Sequence, residues 1–71
     1  MDEILWTPKN IARIAENDLT PEDVEAALLD PVDESVSRST GRPCVFGYTD
    51  DGDYIIVIYE LLPQGIYPVT A

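Results

Sequence analysis

The sequence predicts a single α+β domain in which two short N-terminal helices pack on an antiparallel meander sheet of three or four strands. Three observations favour this fold class. The chain of 71 residues is long enough for one domain only, so residues 1–71 are expected to fold together. Its first half contains two Thr-Pro pairs, a typical helix start, at Thr7-Pro8 and Thr20-Pro21. Its second half consists of short apolar runs separated by Gly, Pro and Asp residues, the pattern of strands joined by turns.

The first helix is predicted to begin at Thr7, whose side chain suits the N-cap, and to end at Asn17-Asp18. Residues 1–6 before it are predicted to form a brief edge strand or a hydrophobic lead-in. Three apolar residues at helical spacing predict the buried face. They are Ile11, Ile14 and Ala15.

The second helix is predicted to begin at Thr20 and to stop before Asp30-Pro31, because a residue before proline avoids the α-helical region. Carboxylates in its first turn favour the positive end of the helix dipole. Its buried stripe is predicted to comprise Val24, Ala27 and Leu28.

The strands follow in the second half. Residues 32–40 are predicted to be an edge strand or a loop, and residues 44–49 a strand. Residues 50–53, Asp-Asp-Gly-Asp, predict a hairpin turn. The clearest strand covers residues 54–62, and a last strand covers residues 66–70.

Two features refine the predicted sheet. Residues 54–62 are apolar on both faces, which predicts a central strand covered on at least one side by the helices. Gly47 within a strand indicates a bulge or a close backbone approach, and Pro68 suits an edge strand because it has no N–H to donate.

The charge of the chain is its most unusual property. Fourteen acidic residues and four basic residues give a net charge of -10. A field of this sign repels phosphate backbones and anionic membranes and favours a basic protein partner. A simpler interpretation is that the acidic residues keep a small protein soluble.

The single cysteine, Cys44, excludes an internal disulfide and is expected in the core. The sequence shows no signal peptide and no apolar run of membrane-spanning length. These observations predict a cytoplasmic protein that does not enter a membrane.

The residue types restrict the chemistry. The chain has no histidine, so no Ser-His or Cys-His catalytic arrangement is available, and one cysteine cannot hold a structural zinc. The four glycines are dispersed, so no phosphate-binding loop is predicted. We therefore expect neither a metal nor a cofactor.

Few side chains are candidates for a functional role. Glu60 interrupts an apolar strand, which indicates a functional carboxylate, an edge residue or a partner for an arginine. Lys9 and Arg13 are four residues apart and share a helix face. With Arg38 and Arg42 they form a small positive patch if the fold gathers them, or each pairs with a nearby carboxylate.

A family resemblance runs through nearly the whole chain. Its first half matches in Trp6-Thr7-Pro8-Lys9, Ile11, Ala15, the segment Leu19-Thr20-Pro21-Glu22-Asp23-Val24, Ala27 and Asp30-Pro31. Its second half matches in Gly41-Arg42-Pro43, Phe46-Gly47, Gly52, the apolar strand to Tyr59, and Val69-Thr70-Ala71. In these short motifs the chain resembles BrnT-type toxins of the RelE/ParE-like group of toxin–antitoxin systems.

The resemblance implies a compact α+β domain, an antitoxin partner and, in active members, metal-independent RNA cleavage without histidine. It carries Lys9 and Arg42 over as catalytic residues, with Tyr59 and Glu60 as weaker additions. The basic C-terminal part of the family is missing, and Tyr67 stands near a position where the family typically carries arginine. These departures from the family pattern imply either that the catalytic function is lost or that the sequence is a shortened form.

The sequence leaves three functions open. The first is a toxin-like domain that acts mainly by binding a basic protein such as an antitoxin, with little or no catalysis. The second is an RNA-cleaving toxin that uses Lys9, Arg42, Tyr59 and Glu60. The third is an acidic adaptor, or a mimic of a nucleic-acid surface.

Overall fold

A computed structural model describes residues 3–71 and shows two helices followed by a four-stranded antiparallel sheet. The helices are α1 (Pro8–Ala15) and α2 (Pro21–Leu29). The strands are β1 (Asp33–Val36), β2 (Pro43–Tyr48), β3 (Tyr54–Leu62) and β4 (Gly65–Thr70). They lie side by side in the order β1-β2-β3-β4. The predicted fold class is confirmed, and the segment 32–40 contributes an edge strand.

Both helices begin with the same capping arrangement. The Thr7 side chain accepts a hydrogen bond from the backbone N–H of Asn10, and the Asn10 side chain accepts one from the backbone N–H of Thr7. Thr20 and Asp23 repeat this exchange at the start of α2. Each box satisfies two N–H groups that the helix itself leaves unpaired, so both predicted helix starts are confirmed.

The predicted buried face of α1 was wrong in two of its three residues. Ile14 is buried, but Ile11 is 40% exposed and Ala15 is exposed. The second buried position of α1 is the polar Asn10, which is 1% exposed. Its side-chain amide donates to the carbonyl oxygens of Leu5 and Pro68, at 3.0 Å each. These two bonds turn the Asn10 side of the helix inward and leave Ile11 at the surface.

The core lies between the helices and one face of the sheet. Val24 and Ala27 of α2 are buried and Leu28 is half-buried, as predicted. The buried cluster contains one residue of α1, two of α2 and one each of β2 and β3. Its members are Ile14, Val24, Ala27, Val45 and Val57.

Gly47 marks the closest approach of helix and sheet. A Cβ atom at this position would lie 2.9 Å from both Cα and Cβ of Ala27. Real Cβ atoms do not come so close, so only glycine lets α2 lie this near to β2. The close approach predicted for Gly47 is confirmed. The sheet irregularity lies elsewhere, between Ile58 and Tyr59 where β3 meets β4.

The hairpin between β2 and β3 has the predicted turn. The N–H of Thr49 donates to the carbonyl oxygen of Asp53 at 2.9 Å, and Gly52 adopts a φ of 88°. This positive φ is the conformation for which glycine is favoured in hairpins. The predicted turn at residues 50–53 is confirmed.

The outer side of β4 is covered by the start of the chain. Ile4 forms a parallel bridge with Ile66, the N–H of Leu5 donates to the carbonyl of Ile66, and the N–H of Ile66 donates to the carbonyl of Glu3. Within its described part the segment 1–6 therefore acts as a brief edge strand. Its first two residues lie outside the described residues. Pro68 is in β4, on the edge of the four-stranded sheet, as predicted.

We expect Asn10→Ala to lower the free energy of unfolding by about 2 to 4 kcal/mol, because it leaves two carbonyls without their donor and removes part of the α1 cap. Asn17→Ala is the matched control. Asn17 is exposed and its side chain makes one hydrogen bond, to the carbonyl of Ala71, so the loss of this side chain should cost about 1 kcal/mol or less. Urea unfolding followed by circular dichroism measures both. Equal losses in the two variants would contradict the role assigned to Asn10.

Candidate functional site

Three of the four basic residues line one groove, which we call the basic groove. It has a volume of about 230 Å³. Its walls come from α1, β4, the end of β3 and the residue before β2. They are Lys9, Asn10, Arg13, Arg42, Glu60, Tyr67 and Val69. The fold thus gathers the positive patch that the sequence left open as one interpretation, with Arg38 outside it.

The two helix cations enter the groove from one side. Lys9 and Arg13 are one helical turn apart in α1, so they project from the same face. The Thr7 cap fixes where this helix begins, and the buried Asn10 fixes its rotation against β4. Both cations are therefore positioned by hydrogen bonds within the fold rather than by carboxylates.

Arg42 enters from the other side and is held by Glu60. The Arg42 Nε donates to Glu60 Oε1 at 2.8 Å, and the two side chains are 38% and 37% exposed. The pair continues the β2–β3 register, since Arg42 and Glu60 each lie two residues from the partners Cys44 and Ile58. Of the three interpretations of Glu60, the structure supports the one in which Glu60 is a partner for an arginine. A pair this exposed contributes about 1 kcal/mol or less to stability.

The groove is locally positive in an acidic protein. It contains three cationic side chains and one carboxylate. Within residues 3–71 the Arg42–Glu60 contact is the only ion pair. In that part of the chain, Lys9 and Arg13 therefore have no carboxylate partner and can accept an anionic group.

Tyr67 is a groove residue that the sequence did not single out as a candidate. It pairs with Glu60 across β3 and β4, so the two side chains share one face of the sheet. Its hydroxyl lies 3.4 Å from Oγ1 of Thr7, at the start of α1. The sequence offered one indication of its role, because Tyr67 stands near a position where the BrnT-type pattern carries arginine.

Tyr59, the remaining predicted catalytic residue, is not part of the groove. It follows Ile58 and precedes Glu60 in β3, so its side chain points to the opposite face, where it packs on the core. Burial raises the pKa of the Tyr59 phenol above its ordinary value of 10.0, and the neighbouring Glu34 and Cys44 raise it further. Tyr59 is therefore a neutral phenol at physiological pH and a poor proton acceptor. The fold brings together Lys9, Arg42 and Glu60, and leaves Tyr59 apart.

A second surface feature is the sheet face that the helices leave uncovered, which we call the open face. Alternation along β2 and β3 places apolar and aromatic side chains on it. They are Cys44, Phe46, Tyr48, Tyr54, Ile56 and Ile58. Cys44 is buried, as predicted, and has no disulfide partner. Tyr48, Tyr54 and Ile56 are 40% to 56% exposed.

The aromatic rings of the open face contact one another. The ring centroids of Phe46 and Tyr54 are 6.0 Å apart in a stacked arrangement, and those of Tyr48 and Tyr54 are 5.1 Å apart. Tyr48 and Tyr54 are register partners at the hairpin end of the two strands. The rings form one contiguous cluster at the end of the sheet remote from Arg42 and Glu60.

The described residues show neither a metal centre nor a membrane span. Within residues 3–71 no group of three or more His, Cys, Asp or Glu side chains is arranged to hold a metal ion. No helix in the same part of the chain is long and apolar enough to cross a membrane.

Comparison with known proteins yields no relative, since no protein-family model, curated protein or solved structure matches this chain. The resemblance to BrnT-type toxins accordingly stays a prediction. The groove and the open face are therefore interpreted from their own chemistry.

The raised pKa of Tyr59 makes stability depend on pH. The folded state keeps the phenol proton to a higher pH than the unfolded chain does. This contribution is therefore complete below the unfolded pKa of about 10, and is lost as the pH rises through the higher folded pKa. We expect Tyr59→Phe to make the free energy of unfolding fall less steeply above pH 10. Tyr54→Phe, at an exposed ring, is the control. Urea titrations at several alkaline pH values measure the slopes, and an unchanged slope in Tyr59→Phe would contradict the assignment.

Proposed function

We propose that this chain is a toxin-like α+β domain that acts by binding a protein with a basic surface, such as an antitoxin, and that it does not cleave RNA. The open face is the observation that carries the proposal. Contiguous exposed apolar surface on a small protein marks an interaction site, and aromatic side chains are enriched at protein interfaces. The net charge of -10 selects for partners of the opposite sign.

The composition of the basic groove supports binding over catalysis. Tyr59 lies outside the groove, and Glu60 is engaged by Arg42 at 2.8 Å. With no histidine in the chain, the groove lacks the residue that most often serves as a general base. The overall field of the protein also opposes the approach of a polyanion such as RNA.

The location that fits this function is a reducing compartment such as the cytoplasm. Cys44 is buried and unpaired, and small domains of oxidising compartments usually depend on several disulfides.

RNA cleavage is a second candidate, and one observation favours it. Lys9, Arg42 and Glu60, far apart in sequence, converge on one groove with Arg13 and Tyr67. Cations that line one groove can bind a phosphate and stabilise the additional negative charge of a transition state. In this candidate function Glu60, which Arg42 contacts through Oε1 only, is the residue that would act as a base.

The two candidates differ in what expression of the chain does to a bacterial cell. We expect normal growth and intact total RNA after tightly induced expression. The reason is that Tyr59 lies apart from the other predicted catalytic residues, Lys9, Arg42 and Glu60. Growth curves and gel analysis of total RNA are the measurements.

The groove provides matched variants for the same assay. Growth arrest with cleaved RNA, relieved by Lys9→Ala and Arg42→Ala but not by Arg38→Ala, would establish the enzyme and overturn the binding proposal. Arg38 is the control because it is an exposed base outside the groove.

A further inference from the structure

We infer that the open face is the docking site for an amphipathic helix of the partner, with an apolar stripe against the sheet and lysine or arginine at the end that lies over the β2–β3 hairpin. The inference rests on the proposed function and names its binding surface and the chemistry of its ligand. It follows from the apolar surface, the charges around it and the state of the sheet edges.

The apolar surface is built like the inner face of a two-layer domain. Phe46 pairs with Ile56, and Tyr48 pairs with Tyr54, so four large side chains stand next to one another on two adjacent strands. The helices of this chain cover the other face, through Val45 and Val57. A sheet with an apolar face is stabilised when a further layer covers that face.

The charges beside the aromatic cluster are all negative. Asp50, Asp51 and Asp53 form the hairpin tip that joins Tyr48 to Tyr54, and all three are exposed. Asp33 of β1 pairs with Phe46 and so shares its face. Lysine or arginine at this end meets carboxylates and two exposed tyrosine rings, a favourable setting for cation–π contacts.

The opposite end of the open face has a different charge. It leads to Arg42, Glu60 and the basic groove, where cations outnumber carboxylates. From Tyr54 to Glu60 the strand runs about 20 Å at 3.3 Å per residue. A helix of about 13 residues spans that length. The basic side chains of the partner therefore belong at its hairpin end.

The edges of the sheet argue against a partner that adds a strand. On β1 the Asp33 carboxylate accepts the backbone N–H of Glu34 at 2.8 Å, which occupies a donor that an added strand requires. On β4 the segment before α1 already bonds to Ile66 in both directions, at 2.7 and 2.8 Å. One outer edge is therefore covered and the other has one donor engaged, so we assign the partner to the uncovered face.

The test uses a fluorescent helical peptide of about 16 residues with a leucine stripe and lysines grouped at one end. A matched peptide carries glutamate at each lysine position. Fluorescence anisotropy at low salt should show binding of the lysine peptide to the full chain, and no binding of the glutamate peptide. Raising the salt should weaken the binding, because part of the attraction is between exposed charges.

Variants locate the surface. Tyr54→Ala and Ile56→Ala should each weaken binding about tenfold or more, as expected for residues at the centre of an interface. Asp51→Asn and Asp53→Asn together should also weaken it. Leu29→Ala is the control, since Leu29 is 55% exposed at the end of α2 and is not on the open face. Circular dichroism confirms that each variant is folded, and amide NMR shifts on the unmodified chain locate the peptide without any substitution.

Each outcome has one meaning. Binding that is weakened by the face variants and unchanged in Leu29→Ala supports the inference. Binding with amide shifts confined to the helices, or with equal effects of all variants, overturns the docking site while the binding function stands. If the two peptides bind equally well, the proposed preference for a basic partner is overturned, and if neither peptide binds, the inference is overturned. Sedimentation showing a dimer that Ile56→Ala converts to monomer would make a second copy the occupant and would also overturn the inference.

Discussion

The side-chain amide of Asn10 joins parts of the chain that are far apart in sequence. It donates to the carbonyl of Leu5 in the N-terminal segment and to that of Pro68 in β4, and its oxygen accepts the N–H of Thr7. The position and the rotation of α1 follow from these bonds. Because Ile14 lies one turn further along the same helix face, its place in the core depends on them as well. The basic groove depends on the same bonds, since α1 supplies two of its cations.

Local chemistry made much of this fold predictable. The Thr-Pro starts, the Asp-Gly turn and the stop before Pro31 are determined by residues that are neighbours in sequence, and the structure has all of them. The α1 face was not predictable from periodicity, because the buried amide of Asn10 is satisfied only by carbonyls that the folded chain brings to it. The spacing of Lys9 and Arg13 indicated their shared face.

The composition of the groove needed three-dimensional information. The meeting of Arg42 with Glu60 and of Glu60 with Tyr67 requires the register of three strands, which the pattern of apolar residues does not specify. Likewise, the sequence shows that β3 is apolar on both faces, but it does not show which of the two faces the helices cover. The helices cover the face that contains Gly47, because a residue with a Cβ atom at this position would clash with Ala27 of α2.

The covered β4 edge of the sheet affects how this protein behaves at high concentration. A second molecule that approaches the β4 edge meets backbone groups of Ile66 that are already bonded to the N-terminal segment, so strand addition at this edge is obstructed. Two molecules that meet through their open faces each carry a net charge of -10, so they repel one another. At low ionic strength the molecules therefore repel one another and stay dispersed at high concentration. When salt screens the acidic side chains, they become prone to associate through their open faces.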